Sequence, residues 1–269
     1  MKLKLKFVSF LRFLKKERRS LVRGFFRHMV FFGIVGILLY SLALYGIFFL
    51  FNSYAHVEPF QGELPVYASV DDVEGATGFL AYRQQESQTP MQPVNLILIG
   101  PSNMQDVFHQ LSWIPDVNFS LESIPFSDFL RLLKEKTPPI SDLYVDGQIQ
   151  NSSFQNQSDS LWHREHVRLW RFGTLEGSGQ SIYLASVSAD AGIDFASYRD
   201  FIVPLHEISP NIDVSRDHFL TLVKAKIPGI SYVYKPWGLV KKRERDPDGN
   251  SYYTDGKVLV ITFPKLAST

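Results

Sequence analysis

The polar residues with the clearest chemical potential lie in the second half of the chain. They are two histidines, two arginines and two aspartates, namely His166, Arg168, Asp190, His206, Asp213 and Arg216. Arginine binds phosphate or carboxylate through paired N–H groups, and histidine can act as an acid, a base or a nucleophile. Aspartate can orient the histidine or hold a metal. The six residues therefore predict a polar pocket for an anionic ligand.

An ordinary structural role is also open for each of these residues. Asp213 fits the N-cap of a helix, and Arg216 and Asp217 fit its exposed first turn. Arg168 and Asp190 fit a cross-strand ion pair. The sequence alone leaves the functional and the structural interpretation side by side.

The standard catalytic motifs are mostly missing. The chain contains no GxxxxGK[ST], GxGxxG, GxSxG or HExxH pattern. The nearest approach to a metal motif is 163–166, where two histidines lie three residues apart. That spacing puts them on opposite faces of a strand, and the alternation of Val167 and Leu169 with His166 and Arg168 predicts a strand. We therefore expect no metal at this pair, and the sequence assigns no cofactor.

Cysteine usage and charge exclude further classes. The chain has no cysteine, which excludes disulfides, thiolate zinc sites and cysteine nucleophiles. Ten of its 28 basic residues but only one of its 27 acids, Glu17, precede residue 29, so the rest of the chain carries a charge of about −8. A nucleic acid is held by clustered positive charge. We therefore expect no nucleic-acid partner for the body of the protein.

A membrane span is predicted at 29–51, which contains no charged residue and is long enough to cross the bilayer. Seven basic residues lie between Arg12 and Arg27, whereas the next one after the span is Arg83. This asymmetry predicts a cytoplasmic N terminus and an extracytoplasmic C-terminal domain, single-pass in the cell inner membrane. A signal peptide cleaved near Ala55 is the alternative, although signal h-regions are much shorter.

The chain divides into four predicted segments. These are a basic cytoplasmic tail at 1–28, the transmembrane helix at 29–51, a stalk at 52–64 and a folded domain at 65–269. Strands are predicted at 94–99, 143–145, 166–172, 182–189, 231–234 and 257–263. Helices are predicted after a Ser102 cap, from Ser127, and at 214–226 after an Asp213 cap. The fold class is α+β, with a mainly antiparallel or mixed sheet and a few helices.

The strand at 166–172 predicts how the polar residues are arranged. Its alternation puts His166 and Arg168 on one face with Trp170, and leaves the opposite face to the core. If 177–179 turns the chain back, the next strand brings Asp190 close to the 164–168 stretch. We expect a polar pocket at one edge of the sheet.

Several ordered motifs resemble the bacterial LssY-type C-terminal domain. The motifs are P-I-S-D-L-Y at 139–144, H-V-R-L-W at 166–170, H-x-I-x-P-x-x-D-x-x-R-D at 206–217 and Y-T-D-G at 253–256, preceded by P-V-N-L at 93–96. The resemblance covers about residues 65–263. It implies a domain that often follows membrane segments, sometimes those of a PAP2-type lipid phosphatase, and it implies no assigned activity. The phosphatase part is absent here, and Ile182 replaces an expected aromatic residue.

Two functional classes follow from this sequence. The first is a membrane-anchored envelope protein whose domain binds a partner, a lipid headgroup or a polysaccharide. The second is a hydrolase of a phosphorylated or lipid-linked envelope substrate that uses His166, Arg168, Asp190 and His206. We favour the first, and convergence of the four side chains would favour the second.

Overall fold

A single long helix, α1, forms near the N terminus in this computed structural model. The structure describes residues 24–46, 57–82, 90–118, 121, 124–158, 160, 163–198, 201–238, 244–245 and 251–265. Helix α1 spans Gly24–Gly46. Its most apolar stretch has a mean hydropathy of 2.1, and none of that stretch is buried. At about 1.5 Å per residue it is long enough to cross the hydrocarbon core. The helix suggests a single-pass membrane anchor, and it begins five residues before the predicted span at 29–51. Residues 47–51 of that predicted span lie outside the described residues.

The rest of the chain, Asn52–Thr269, is a second compact unit of mixed α and β structure. Its helices are α2 (Gln105–Gln110), α3 (Phe126–Lys134) and α4 (Ile212–Lys226), with a 3-10 turn at Val70–Val73. Its strands are β1 (Val66–Tyr67), β2 (Leu80–Tyr82), β3 (Pro90–Pro93), β4 (Leu96–Gly100), β5 (Trp113–Pro115), β6 (Tyr144–Val145), β7 (Gln148–Ile149), β8 (Ser152–Asn156), β9 (Glu165–Leu175), β10 (Ser181–Tyr198), β11 (Phe201–Ile208), β12 (Ser231–Lys235), β13 (Glu244–Arg245), β14 (Ser251–Tyr252) and β15 (Val258–Thr262). The predicted α+β class is confirmed.

The strands form one large mixed sheet and two small ones. The large sheet has the order β12-β15-β4-β10-β9-β8-β5, with β1 beside β9 and β11 beside β10. Strand β15 runs parallel to β4, and β1 runs parallel to β9, while the other pairs are antiparallel. The second sheet has the order β3-β2-β6-β7, and β13 pairs with β14.

Both faces of the large sheet are buried, which the sequence did not predict. Val167 and Leu169 pack with Phe108 of α2 and Phe219 of α4 on one face, as expected. On the other face, Trp170 lies in a second core that includes side chains of the small four-stranded sheet. The expectation of a single core face was therefore wrong, because a second sheet covers the face that carries Trp170.

Two helix caps also differ from the prediction. Helix α4 begins after Asn211, so Asp213 lies inside its first turn and not at the cap. Helix α2 begins after Met104, with no side-chain cap from Ser102. The predicted Gly-rich reversal after β9 is present, with Gly177 at a φ of 72° and the connection leading into β10.

Candidate functional site

The hairpin of β9 and β10 brings three of the predicted residues together. Its register pairs Ser188 with His166 and Ala189 with Glu165, so Asp190 lies beside Arg164. The Asp190 amide donates to the Arg164 carbonyl over 2.7 Å. Because alternate residues share a face of a strand, the side chains of 164, 166 and 168 point to the same side of the sheet.

A Ser–His–Asp chain runs across this hairpin. The Oγ atom of Ser188 lies 3.1 Å from Nε2 of His166. On the other side of the ring, Nδ1 of His166 lies 3.5 Å from Oδ1 of Asp190. The second oxygen of Asp190 accepts a hydrogen bond from Nε of Arg164 over 2.9 Å. All four side chains are buried.

The loop that carries the P-I-S-D motif covers these residues. Arg168 donates to the Ser141 carbonyl over 3.2 Å, and Arg164 donates to the Pro138 carbonyl over 3.0 Å. Arg164 also donates to Oε1 of Gln155 over 2.7 Å. Two of the ordered motifs therefore meet here, and both arginines are hydrogen-bonded within the protein.

The sequence interpretation missed a buried acid next to the two arginines. Asp116 follows β5, is buried, and neither of its carboxylate oxygens has a hydrogen-bond partner among the described residues. Burial raises the pKa of Asp116 to about 7, although the charges of Arg164 and Arg168 lower it and that of Asp190 raises it further. Burial therefore favours the neutral, protonated form of Asp116. The one sequence signal was a lone acid directly after a short apolar strand.

Burial also shifts the pKa of Arg168, which stays protonated at neutral pH. Desolvation lowers the pKa of Arg168 to about 10, while the charges of Asp116, Asp190 and Asp142 act in the opposite direction. We call the set Asp116, Asp142, Arg164, His166, Arg168 and Asp190 the buried ionic cluster. All six of these residues are buried.

Two of the other three predicted residues, Asp213 and Arg216, belong to a second group at the start of α4. Arg216 donates to Oδ1 of Asp255 over 2.8 Å, to Oδ1 of Asp217 over 2.9 Å and to the Lys257 carbonyl over 2.8 Å. Its nearest atom to Asp213 lies 3.2 Å away. Burial alone would lower the pKa of Arg216, but the hydrogen bonds to Asp255 and Asp217 raise it above its ordinary value.

Asp213 connects this group to the Y-T-D-G motif. Its two carboxylate oxygens accept hydrogen bonds from Oγ1 of Thr254 over 2.9 Å and from the amide of Asp255 over 2.7 Å. The amide of Tyr253 donates to the carbonyl of Pro210 over 2.9 Å. The motifs at 206–217 and 253–256 therefore meet here, just as those at 139–144 and 166–170 meet at the buried ionic cluster.

The two groups lie on opposite faces of the large sheet. Arg168 shares the face of Trp170, whereas α4 packs on the face of Val167 and Leu169. The backbone of His206 pairs with that of Ile193 in the β10–β11 hairpin. The structure does not describe the side chain of His206. Five of the six predicted residues thus fall into two groups, three in the buried ionic cluster and two at the start of α4, and binding of an anionic ligand stays a prediction.

The group at the start of α4 borders an open cleft of about 560 Å³. Its lining residues are Arg216, Asp217, Tyr234, Pro236, Asp255 and Lys257. Arg216 is buried beneath it, while the carboxylates of Asp217 and Asp255 and the amine of Lys257 are partly exposed. We call this the α4 cleft. Among the residues that the structure describes, no group of His, Asp and Glu could hold a metal ion.

Comparison with known proteins identifies a family for this chain. The family model for the LssY C-terminus matches residues 76–258, which is more than half of the chain. No curated protein and no solved structure matches the chain. The family match confirms the resemblance that the ordered motifs indicate.

Proposed function

Since this chain belongs to the family of LssY C-terminal domains, we propose that it is a membrane-anchored envelope protein whose extracytoplasmic domain binds a polysaccharide. The apolar helix α1 and the basic residues before it support this topology, because the flank richer in Lys and Arg stays in the cytoplasm. The residues that line the α4 cleft favour a polysaccharide as the ligand.

The chemistry of the α4 cleft suits a ligand with many hydroxyl groups. The carboxylates of Asp217 and Asp255 can only accept hydrogen bonds, and their side chains are 53% and 37% exposed, so hydroxyl groups of a sugar can reach them. Tyr234 and Pro236 add flat apolar surface next to them. Lys257 supplies a donor for ring and hydroxyl oxygens. Acceptors, a donor and an apolar platform in one cleft are what a pyranose ring requires.

An anionic headgroup fits the same cleft poorly. Arg216 is only 2% exposed and all its hydrogen bonds described above are made to the protein itself. Three aspartates, 213, 217 and 255, surround Arg216 and Lys257, which leaves one net negative charge. A phosphate would meet carboxylates before it met an available arginine. The cleft therefore supports a neutral polysaccharide over a phosphorylated lipid.

Binding by the full-length chain in detergent tests this proposal. The probes are immobilised dextran, immobilised polygalacturonate and immobilised glycerol phosphate, which presents a phosphorylated headgroup without a lipid tail. We expect the neutral polymer to bind best, and Asp217→Asn to weaken binding roughly tenfold, as the loss of a charged hydrogen bond does. Asp128→Asn, on the exposed side of α3, is the matched control. Binding to glycerol phosphate alone, or equal binding by the Asp217→Asn and Asp128→Asn chains, would contradict the proposal.

The Ser188–His166–Asp190 chain favours a second candidate function, an ester hydrolase. In such a reaction the Ser188 oxygen would attack a carbonyl carbon while its proton passes to Nε2 of His166. Asp190 would stabilise the imidazolium, and the proton would then pass to the leaving alcohol before water releases the acyl group. The three side chains are buried, so the covering loop at 138–142 would have to open.

A fluorophosphonate probe distinguishes the two candidates. Labelling of the folded chain at Ser188, lost in Ser188→Ala and reduced in His166→Gln, would establish the hydrolase. Labelling only after denaturation, or no labelling at all, would mean that Ser188, His166 and Asp190 form a structural hydrogen-bond network in a domain that binds its ligand without hydrolysing it.

A further inference from the structure

Strand β12 ends the large sheet in the part of the chain that the structure describes. It pairs on one side with β15 in a regular antiparallel register from Ser231–Thr262 to Lys235–Val258. The register contains no bulge, and the strand contains no proline. Bulges and prolines are two of the devices that block strand pairing at an edge. Strand β12 has neither, so its outward backbone groups can pair with another strand.

The hydrogen bonds of β15 show which backbone groups of β12 are available. The amides of Leu259 and Phe263 donate to the carbonyls of Asn95 and Ile99 on the β4 side. Backbone groups of successive residues point to opposite sides of a strand. The odd-numbered residues of β15 therefore bond to β4, and the even-numbered residues, such as Val260, bond to β12.

It follows that Tyr232 and Tyr234 present their N–H and C=O groups outward. Val233 pairs with Val260, so its backbone groups point inward to β15. Tyr232 and Tyr234 alternate with it and point away from β15. Their side chains lie on the face of α4, and that of Val233 lies on the other face.

We propose that this edge pairs with the same edge of a second copy, forming a two-fold dimer with one continuous sheet. With the axis at Val233, Tyr232 of one copy lies opposite Tyr234 of the other, and each pair exchanges both backbone hydrogen bonds. Aromatic side chains then meet across the strands at both ends. The inference goes beyond polysaccharide binding. The dimer uses Tyr234 and Asp217, which also line the α4 cleft, so the second copy and a bound polysaccharide compete for these two residues.

Charge complementarity selects a second copy as the occupant. The amine of Lys224 lies 3.4 Å from the hydroxyl of Tyr232, and the hydroxyl of Tyr234 donates to Asp217 over 2.8 Å. When Tyr232 meets Tyr234 of the second copy, Lys224 meets Asp217 of that copy. The two-fold axis repeats this opposite-charge pair on the other side. A neighbour without this pattern of charges would not match both ends.

The other face of the strand offers no conflict. Val233 is 44% exposed and would face itself across the axis, which buries apolar surface in both copies. Lys235 would lie opposite Ser231 of the second copy, so no like charges meet. A five-residue edge is a small interface, but copies anchored in one membrane through α1 have a high effective concentration.

Cysteine cross-linking of the full-length chain in membranes of the expressing host tests the dimer, because the natural chain has no cysteine. At the axis, Val233→Cys brings two sulfurs together across a non-hydrogen-bonded pair, whose Cα atoms are about 4.5 Å apart. Val214→Cys, on α4 and 60% exposed, is the matched control. We expect the Val233→Cys chain to form a disulfide dimer roughly tenfold faster than the control.

A charge reversal tests the register of the dimer. Adding Lys224→Glu to Val233→Cys places a carboxylate opposite Asp217 of the second copy and should slow cross-linking severalfold. Lys226→Glu makes the same charge change elsewhere on α4 and should leave the rate unchanged. Equal rates for Val233→Cys and Val214→Cys would overturn the dimer, as would a Val233→Cys adduct to a host protein in place of a second copy.

Discussion

Arg164 donates from Nε to Oδ2 of Asp190 over 2.9 Å, and the two side chains are 1% and 0% exposed. A buried ion pair of this kind is tolerated only when further hydrogen bonds satisfy both ions. Arg164 has them, from its contacts to Pro138 and Gln155. Arg164 donates both to the Pro138 carbonyl, in the loop before β6, and to Asp190 in β10. It thereby connects that loop to the β9–β10 hairpin and holds the buried ionic cluster in place.

Removing one partner of this pair should be costly. Asp190→Asn removes the carboxylate that accepts the hydrogen bond from the buried Arg164, and we expect a loss of about 3–5 kcal/mol in the free energy of unfolding. Glu135→Gln, which breaks an exposed pair with Arg131, should cost under about 1 kcal/mol. Urea unfolding followed by tryptophan fluorescence measures both, since all four tryptophans lie outside α1. Similar losses for the two variants would show that burial does not strengthen the dependence on Asp190.

The topology predicts where a reporter is active. Because the basic residues precede the span and the next one after it is Arg83, we expect the domain to be exported. Alkaline phosphatase fused after residue 90 should be active in a bacterial host, and a cytoplasmic reporter at the same joint should be inactive. The reverse pattern would place the domain in the cytoplasm and remove the basis for an envelope ligand.

Periodicity predicted the strands well but not what lies on each face. The alternation at 166–170 correctly predicts β9, and the Gly-rich segment correctly predicts the reversal into β10. It could not show that the face of Trp170 is covered, because the covering strands β2 and β6 are two or three residues long. Strands that short carry too little pattern to be assigned to a layer.

The site shows a similar limit. Polar residues on β9 and β10 could be grouped from their sequence positions, since a hairpin register is local. Asp116 lies nearly fifty residues earlier in the chain than Arg164. The antiparallel pairing of β5 with β8 brings Asp116 to the buried ionic cluster, and that pairing is not local in sequence. Asp213 was assigned to a cap by its spacing, but tertiary contacts to Thr254 and Asp255 determine its role.

The domain should fold without its anchor. Residues 52–269 form a compact unit of their own, with both core clusters inside it. A fragment lacking residues 1–55 is expected to be soluble and to unfold cooperatively on heating, because α1 contributes lipid contacts and no core. Aggregation of this fragment, or a gradual loss of its near-ultraviolet circular dichroism, would show that the domain needs the anchor.

The last prediction concerns the pH dependence that Asp116 confers. In the folded state its pKa is raised to about 7 by burial, with smaller opposing contributions from Arg164 and Arg168, whereas an unfolded aspartate has a pKa of about 3.9. Between these values the folded chain holds a proton that the unfolded chain lacks. Stability from this group therefore falls as pH rises from about 4 to about 7 and is constant above that window.

Asp116→Asn removes this titration without changing the size of the side chain. We expect the variant to be more stable than the natural chain at pH 8, by an amount on the order of 2–4 kcal/mol, with the difference shrinking as the pH falls toward 4. Urea unfolding at a series of pH values measures the difference, and Asp128→Asn, at an exposed position of α3, controls for a simple change of net charge. A difference that stays constant across the series would mean that Asp116 is ionised in the fold, so that Arg164 and Arg168 outweigh its burial.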